Sequence, residues 1–140
     1  MRATNIVLDT NITLDLWVFN DPAVQPLAQA LDEGLLHWLA TASMRDELAR
    51  VLGYPHIAAR LAAAVQGASA VLQAFDRHAH LVDAAVRAGV TCADPDDQKF
   101  IDLAVFHRAR LLSKDKAILC MKKQLLALGV QAQAAIEFVA

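Results

Sequence analysis

Residues 6–17, IVLDTNITLDLW, decide the fold class, because they join a short buried strand directly to a helix. The apolar run Ile6-Val7-Leu8 is typical of a strand that is covered on both faces, as in a parallel sheet. Asp9 follows the strand at once, and the residues after it continue as a helical run through Leu14, Leu16 and Trp17. We therefore expect a strand whose carboxyl end carries an acid and leads into a helix.

The same alternation of strand and helix continues along the chain. Apolar runs predict further strands over 35–40, 80–82, 110–113 and 130–132. Helix signals predict helices over 21–33, from Thr41 or Ser43 to 52, over 56–75 with a weak point at Gly67, over 94–107, over 116–128, and at the carboxyl terminus. This order predicts an α/β fold, a three-layer α/β/α sandwich with a central parallel sheet. Neither a repeat nor a linker is visible, so we expect a single domain over residues 1–140.

Length and composition favour a packed globular protein. The chain has 140 residues, of which 56% are hydrophobic and 20% charged, a balance that argues against disorder. No apolar stretch approaches the roughly 18 residues of a membrane span. No secretory signal is visible at the amino terminus, and the two cysteines, Cys92 and Cys120, form no motif. We therefore expect a cytoplasmic protein that makes no use of a membrane.

The net charge of −2 is unusual for a protein that binds nucleic acid. If this chain binds RNA, a metal ion must supply part of the positive charge, with help from a local basic patch. A candidate patch near the carboxyl end comprises Arg108, Arg110, Lys114, Lys116, Lys122 and Lys123. The alternative interpretation of these residues is an ordinary solvated helix face.

Two acids follow predicted strands at the same edge of the sheet. Asp9 ends the first strand, and Asp115 follows the strand that ends near Ser113. Open parallel sheets bind their ligands beyond the carboxyl ends of the strands, which is where both acids belong. Helix capping is the alternative for each of them, since Asp is a favoured N-cap residue.

Helical geometry adds Glu47 to these acids. Met44, Leu48, Val51 and Leu52 form an apolar stripe, and Glu47 borders it, three residues after Met44 and four before Val51. A carboxylate in that position can reach inward to the sheet edge. The alternative is a surface glutamate that extends into solvent.

The segment 94–104, DPDDQKFIDLA, adds Asp97. Asp97 precedes Phe100 by three residues and Ile101 by four, so it lies on the buried face of the predicted helix, whereas Asp102 points toward solvent. An acid on a buried face is costly unless something pairs with it. A capping box with Asp94 explains the position but not the apolar neighbours.

Four carboxylates at one sheet edge repel one another, and proteins tolerate such a cluster chiefly where a divalent cation neutralises it. An all-oxygen set of ligands suits Mg²⁺ or Mn²⁺ better than zinc.

The segments LDTN at 8–11, ELARVL at 47–52, DPDDQKFIDLA at 94–104 and LSKD at 112–115 resemble the PIN-domain nucleases. They resemble most the bacterial toxin components of toxin–antitoxin systems, and the motifs occur in family order along essentially the whole chain. The resemblance implies that Asp9, Glu47, Asp97 and Asp115 bind the metal and are catalytic, and that Asn11 and Ser113 orient Asp9 and Asp115.

The resemblance further implies metal-assisted hydrolysis of phosphodiester bonds in single-stranded RNA, by an endoribonuclease that uses Mg²⁺ or Mn²⁺. Lys114 and Lys116 are the predicted substrate-binding residues. A cognate antitoxin and a homodimer are the expected partners.

Two alternatives come from other functional classes. A catalytically silent module with the same fold could bind RNA or a protein partner, although the complete set of acids argues against it. Haloacid-dehalogenase-like phosphatases also carry Asp at a parallel sheet edge, but they need a second acid where this chain has Asn11.

Overall fold

The described part of the computed structural model, residues 4–64 and 67–134, is built around a sheet of five parallel strands. The strands are β1 (Thr4–Leu8), β2 (Leu36–Ala40), β3 (Ala79–Leu81), β4 (Arg110–Leu112) and β5 (Ala132–Gln133). Their order across the sheet is β3-β2-β1-β4-β5. The expectation of a three-layer α/β/α fold with a central parallel sheet is confirmed.

Eight α-helices lie within the described residues. They are α1 (Thr10–Trp17), α2 (Gln25–Asp32), α3 (Ala42–Val51), α4 (Pro55–Ala62), α5 (Ala68–His78), α6 (Gln98–His107), α7 (Lys116–Leu119) and α8 (Lys122–Ala127). Short 3₁₀ turns, Pro22–Val24 and Pro95–Asp97, precede α2 and α6. Each turn begins after an aspartate whose side chain accepts a backbone N–H, followed by proline at the first position.

Two predicted helices are each divided in the structure. The helix predicted over 56–75 is α4 followed by α5, and the helix predicted over 116–128 is α7 followed by α8. Thr41, and not Ser43, is the N-cap of α3 and accepts the N–H of Met44. The predicted carboxyl-terminal helix lies outside the described residues.

The strand order creates a topological switch between β1 and β4. From β1 the chain moves outward to β2 and β3, and it then returns to add β4 and β5 on the other side of β1. Because parallel crossovers are right-handed, α1–α5 cover one face of the sheet and α6–α8 cover the other. The crevice beyond the carboxyl ends of β1 and β4 is the expected ligand site of such a sheet.

The central strands are held by apolar burial on both faces. Ile6 and Val7 of β1, Leu111 and Leu112 of β4 and Trp38 of β2 are at most 1% exposed. β1 and β4 are in register with Leu8 opposite Leu112, so the residues that follow the two strands leave the sheet side by side. No helix in the described ranges is both long and apolar enough to cross a membrane.

Candidate metal centre

Asp9 lies at the carboxyl end of β1 and is the N-cap of α1. Its Oδ1 accepts the backbone N–H of Ile12 at 3.0 Å, and the residue is only 2% exposed. Burial raises the pKa of Asp9 from 3.8 to about 6, and the nearby charge of Asp115 contributes in the same direction. The hydrogen bonds from Ser113 and Ile12 oppose that rise. Asp9 therefore caps α1 and also belongs to the acidic site.

Ser113 connects the acids that follow the two central strands. Its buried hydroxyl donates to Asp9 Oδ2, and its Oγ accepts the backbone N–H of Asp115 at 3.0 Å. Asp115 in turn uses Oδ1 to accept the N–H of Ala117 at 3.0 Å, as the N-cap of α7. One side chain thus sets the position of Asp9 and of the backbone of Asp115.

Asp97 faces Asp115 from the start of α6. Desolvation raises the pKa of Asp97 from 3.8 to about 7, and a hydrogen bond with Asp115 and the charges of Asp115, Asp94 and Asp9 add to the rise. Within the described residues, Asp97 Oδ2 is buried and lacks a hydrogen-bond partner. One ligand oxygen each from Asp94, Asp97 and Asp115 lie within 4.8 Å of one another.

Glu47 reaches the site from α3, on the opposite side of Asp9. Its Oε2 accepts the hydroxyl of Thr10 at 2.5 Å, and its Oε1 accepts Lys99 Nζ at 3.1 Å. The side chain of Glu47 is 15% exposed and that of Lys99 is 28% exposed. Lys99 Nζ also donates to the carbonyl of Asp96 at 2.6 Å. A lysine therefore contacts the glutamate that we predicted as a metal ligand.

Three of these acids border one open cavity of about 280 Å³. Asp9, Glu47 and Asp97 lie in its wall together with Thr10 and Asn11. A less polar part of the lining contains Val51, Tyr54, His56, Ile57 and Phe100. The structure thus brings Asp9, Glu47 and Asp97 to one cavity, and it places Asp115 in contact with Asp97 behind them.

The remaining predicted site residues have different surroundings. Asn11 is exposed in the cavity wall, and the described hydrogen bonds of the Asp9 side chain come from Ile12 and Ser113, not from Asn11. Lys114 Nζ pairs with the buried Asp15 at 2.8 Å, and its charge lowers the pKa of Asp9. Lys116 is exposed on the first turn of α7. Neither lysine lines the cavity.

The prediction that Asp102 points to solvent is wrong. Its Oδ1 accepts the backbone N–H of Ala88 at 2.9 Å and the side-chain amide of Gln98 at 2.8 Å. Asp102 therefore anchors the irregular segment before α6 and takes no part in the acidic site. Residues 82–92 have no regular structure, and sequence periodicity could not show that this segment returns to cover α6.

The donors fit a divalent cation. All candidate ligand atoms are carboxylate oxygens, the ligands that Mg²⁺ and Mn²⁺ favour. In octahedral Mg²⁺ sites two opposite oxygens, each about 2.1 Å from the ion, lie about 4.2 Å apart. The 4.8 Å limit for Asp94, Asp97 and Asp115 is close to that spacing. The buried, unpartnered Asp97 Oδ2 is an oxygen that such an ion would satisfy.

Sequence reasoning missed Asp94 and Lys99 as members of this site. Asp94 was interpreted only as an N-cap, a role it has, since its Oδ1 accepts the N–H of Asp96 at 3.0 Å. A signal for Lys99 was present. A cation in the first turn of a helix opposes the helix dipole, so its position there indicates nearby acidic partners.

A model of the family described as PIN domain matches residues 5–117 of the chain, which include all the acids described above. No curated protein matches the chain.

Proposed function

Since the chain belongs to the PIN-domain family, we propose that it is an endoribonuclease that hydrolyses single-stranded RNA with Mg²⁺ or Mn²⁺. PIN domains are generally metal-dependent nucleases and use divalent metals. The single observation that carries the proposal is the meeting of Asp94, Asp97 and Asp115 within 4.8 Å, beside a cavity that Asp9 and Glu47 also line. We further propose that residues 1–140 form one domain.

We assign metal binding and catalysis to Asp9, Glu47, Asp97 and Asp115, and we add Asp94 as a further ligand. A bound divalent ion supplies positive charge against the scissile phosphate and acidifies a bound water. Ser113 keeps the Asp9 carboxylate and the Asp115 backbone in place through its two hydrogen bonds. In the metal-free protein, burial and the neighbouring Asp115 raise the pKa of Asp97 to about 7.

Electrostatics supports dependence on a metal. A phosphodiester cannot approach several carboxylates without a neutralising cation, and the net charge of −2 offers no general attraction for RNA. Lys114 and Lys116 stay the proposed contacts to RNA outside the cavity. A toxin role, a cognate antitoxin, a homodimer and a cytoplasmic location rest on the resemblance alone and stay predictions.

The experiment uses purified protein and a mixed pool of end-labelled single-stranded RNA, with Mn²⁺, with Mg²⁺ or with EDTA. We expect cleavage with either metal, no cleavage in EDTA, and products with 5′-phosphate ends. Folded protein that cleaves equally well in EDTA would refute the mechanism. Tight RNA binding without any cleavage would favour the catalytically silent module.

A further inference from the structure

The acidic cavity has a second wall that metal binding does not explain. Val51, Tyr54 and Ile57, from the end of α3 and the start of α4, line the cavity together with the carboxylates. Tyr54 is 42% exposed and is one of few large apolar side chains with that exposure in the described part of the chain. Aromatic rings supply large contact areas in binding sites and are enriched there.

The backbone of Tyr54 is held from both sides. Its N–H donates to the carbonyl of Val51 at 3.0 Å, and its carbonyl accepts the N–H of Ala58 at 2.7 Å. Pro55 follows at the first position of α4 and restricts the local backbone further. A tyrosine has only two side-chain torsions, so ordering its ring on a ligand costs little entropy. Tyr54 is therefore an aromatic ring on a rigid base.

The size and chemistry of the cavity limit what it can hold. A volume of about 280 Å³ is near the lower end of small-ligand pockets, roughly 300 Å³, and suits one nucleoside-sized group but not a duplex. Val51 and Ile57 contribute apolar lining, and the exposed His56 contributes ring nitrogens. Nucleobases combine an apolar face with polar edges in the same way.

We propose that Tyr54 forms a nucleobase subsite, on which the base next to the scissile phosphate stacks, with His56 at the edge of that base. This inference rests on the proposed function and adds to it the way in which substrate is recognised. A base must leave its helical stack to reach Tyr54, so the subsite selects single-stranded substrate. Stacking on one aromatic ring tolerates any base, so the subsite places the phosphate without demanding a particular sequence.

The test compares Tyr54→Ala and Tyr54→Phe with a matched control, Phe106→Ala. Phe106 is also an exposed aromatic, at 60% exposure, but it lines a different cavity beside Leu81 and Val86. Each protein is assayed on an RNA whose cleavage position has been mapped, and on copies in which single nucleotides around that position are abasic. Calorimetric Mn²⁺ titrations and thermal melts accompany the kinetics.

We expect Tyr54→Ala to raise KM about fivefold or more, the effect of losing one base–aromatic stack. Tyr54→Phe and Phe106→Ala should stay within about twofold of wild type. An abasic nucleotide beside the cleaved bond should raise the KM of wild type by a similar factor. It should leave the KM of Tyr54→Ala unchanged, because the two changes remove the same contact. Mn²⁺ affinity should be unchanged in all three variants. The fluorescence of 2-aminopurine at that position should respond in the same way to wild type, Tyr54→Phe and Phe106→Ala, and differently to Tyr54→Ala.

The failure of the subsite can be told apart from the failure of the proposed function. The subsite is overturned, and the nuclease is not, if wild type cleaves RNA and Tyr54→Ala has the same KM and the same rise in KM with the abasic RNA. Wild type that cleaves no RNA with either metal would overturn the nuclease, and the subsite with it.

Discussion

Replacing Asp9 by asparagine tests the strain that the metal-free site imposes on the fold. The asparagine side chain is nearly isosteric with aspartate, and its amide oxygen can still accept the N–H of Ile12 as helix cap. The substitution removes one of several like charges that face Asp115 and Asp97. We expect this change to stabilise the metal-free protein at alkaline pH and to weaken its response to metal.

The magnitude follows from the pKa of Asp9. The pKa lies at 3.8 in the unfolded chain and at about 6 in the folded protein, which corresponds to about 3 kcal/mol at about 1.4 kcal/mol per pH unit. The amide nitrogen of asparagine cannot accept the Ser113 hydroxyl that Asp9 Oδ2 accepts, and a lost hydrogen bond costs about 1 kcal/mol. The net gain is about 2 kcal/mol at pH 8, or about 4–8 °C in Tm.

The sign of the pH dependence follows from linkage. The folded pKa of Asp9 is above the unfolded one, so folded wild type binds the proton more tightly and loses stability as pH rises from about 4 through 6. The asparagine of the variant has no proton to lose. The advantage of Asp9→Asn should therefore be largest above pH 6 and should shrink as pH falls. Near pH 4 the variant should melt slightly below wild type, because only the lost hydrogen bond remains.

The assay is thermal unfolding followed by circular dichroism, in EDTA and in millimolar Mn²⁺, between pH 4 and pH 8. Mn²⁺ stabilises wild type by about 2.7 kcal/mol at a hundred times its Kd, and Asp9→Asn should lose most of that gain. Asp21→Asn is the matched control, since Asp21 also caps a helical turn but lies outside the acidic site. Its Tm should change little in either condition.

If Asp9→Asn melts lower than wild type in EDTA at pH 8 and keeps the full Mn²⁺ shift, Asp9 is a helix cap and not a ligand.

Two further predictions concern α6. Asp97→Asn should reduce the rate of metal-dependent RNA cleavage by ~100-fold or more. Asp102→Asn should keep that rate within a few-fold of wild type, because the amide oxygen of the new side chain can still accept from Ala88 and Gln98. An inactive Asp102→Asn together with an active Asp97→Asn would reverse our assignment. Lys99→Met should tighten Mn²⁺ binding about two- to fivefold in calorimetry, since the ammonium no longer competes for Glu47 and a part-exposed ion pair is worth at most about 1 kcal/mol. Lys99→Arg should keep the wild-type affinity, and weaker binding by Lys99→Met would show that the ammonium does not compete with the metal.

The strands, and the acids that follow them, were predictable because the relevant signals are local. A run such as Ile6-Val7-Leu8 is buried on both faces and needs no distant information to be recognised. The parallel sheet then follows from the alternation of elements, and it puts Asp9 and Asp115 at one edge. Helical spacing pointed to Asp97, which the structure places in the 3₁₀ turn before α6, partly buried and beside Asp115.

What could not be predicted depends on contacts between distant parts of the chain. The division between α7 and α8 falls at Cys120 and Met121, with no glycine or proline to mark it. Met121 is 5% exposed and Ile118 is fully buried, so tertiary packing outweighs helical propensity there. The pairing of Lys99 with Glu47 spans 52 positions, and no periodicity reports it.

The register of β1 and β4 fixes the positions of the residues that begin the acidic site. Leu8 pairs with Leu112, so Asp9 and Ser113 leave the sheet at the same level, and the Asp9 N–H donates to the Leu112 carbonyl at 3.1 Å. That alignment puts the Ser113 hydroxyl where it can donate to Asp9 while its oxygen accepts from the backbone of Asp115. A slip of one residue would turn Ser113 to the other face of the sheet relative to β1 and break its bond to Asp9. The backbone hydrogen bonds between the two central strands therefore position the acids. The electrostatic repulsion among these carboxylates acts on a fully buried, close-packed part of the core, which deforms little.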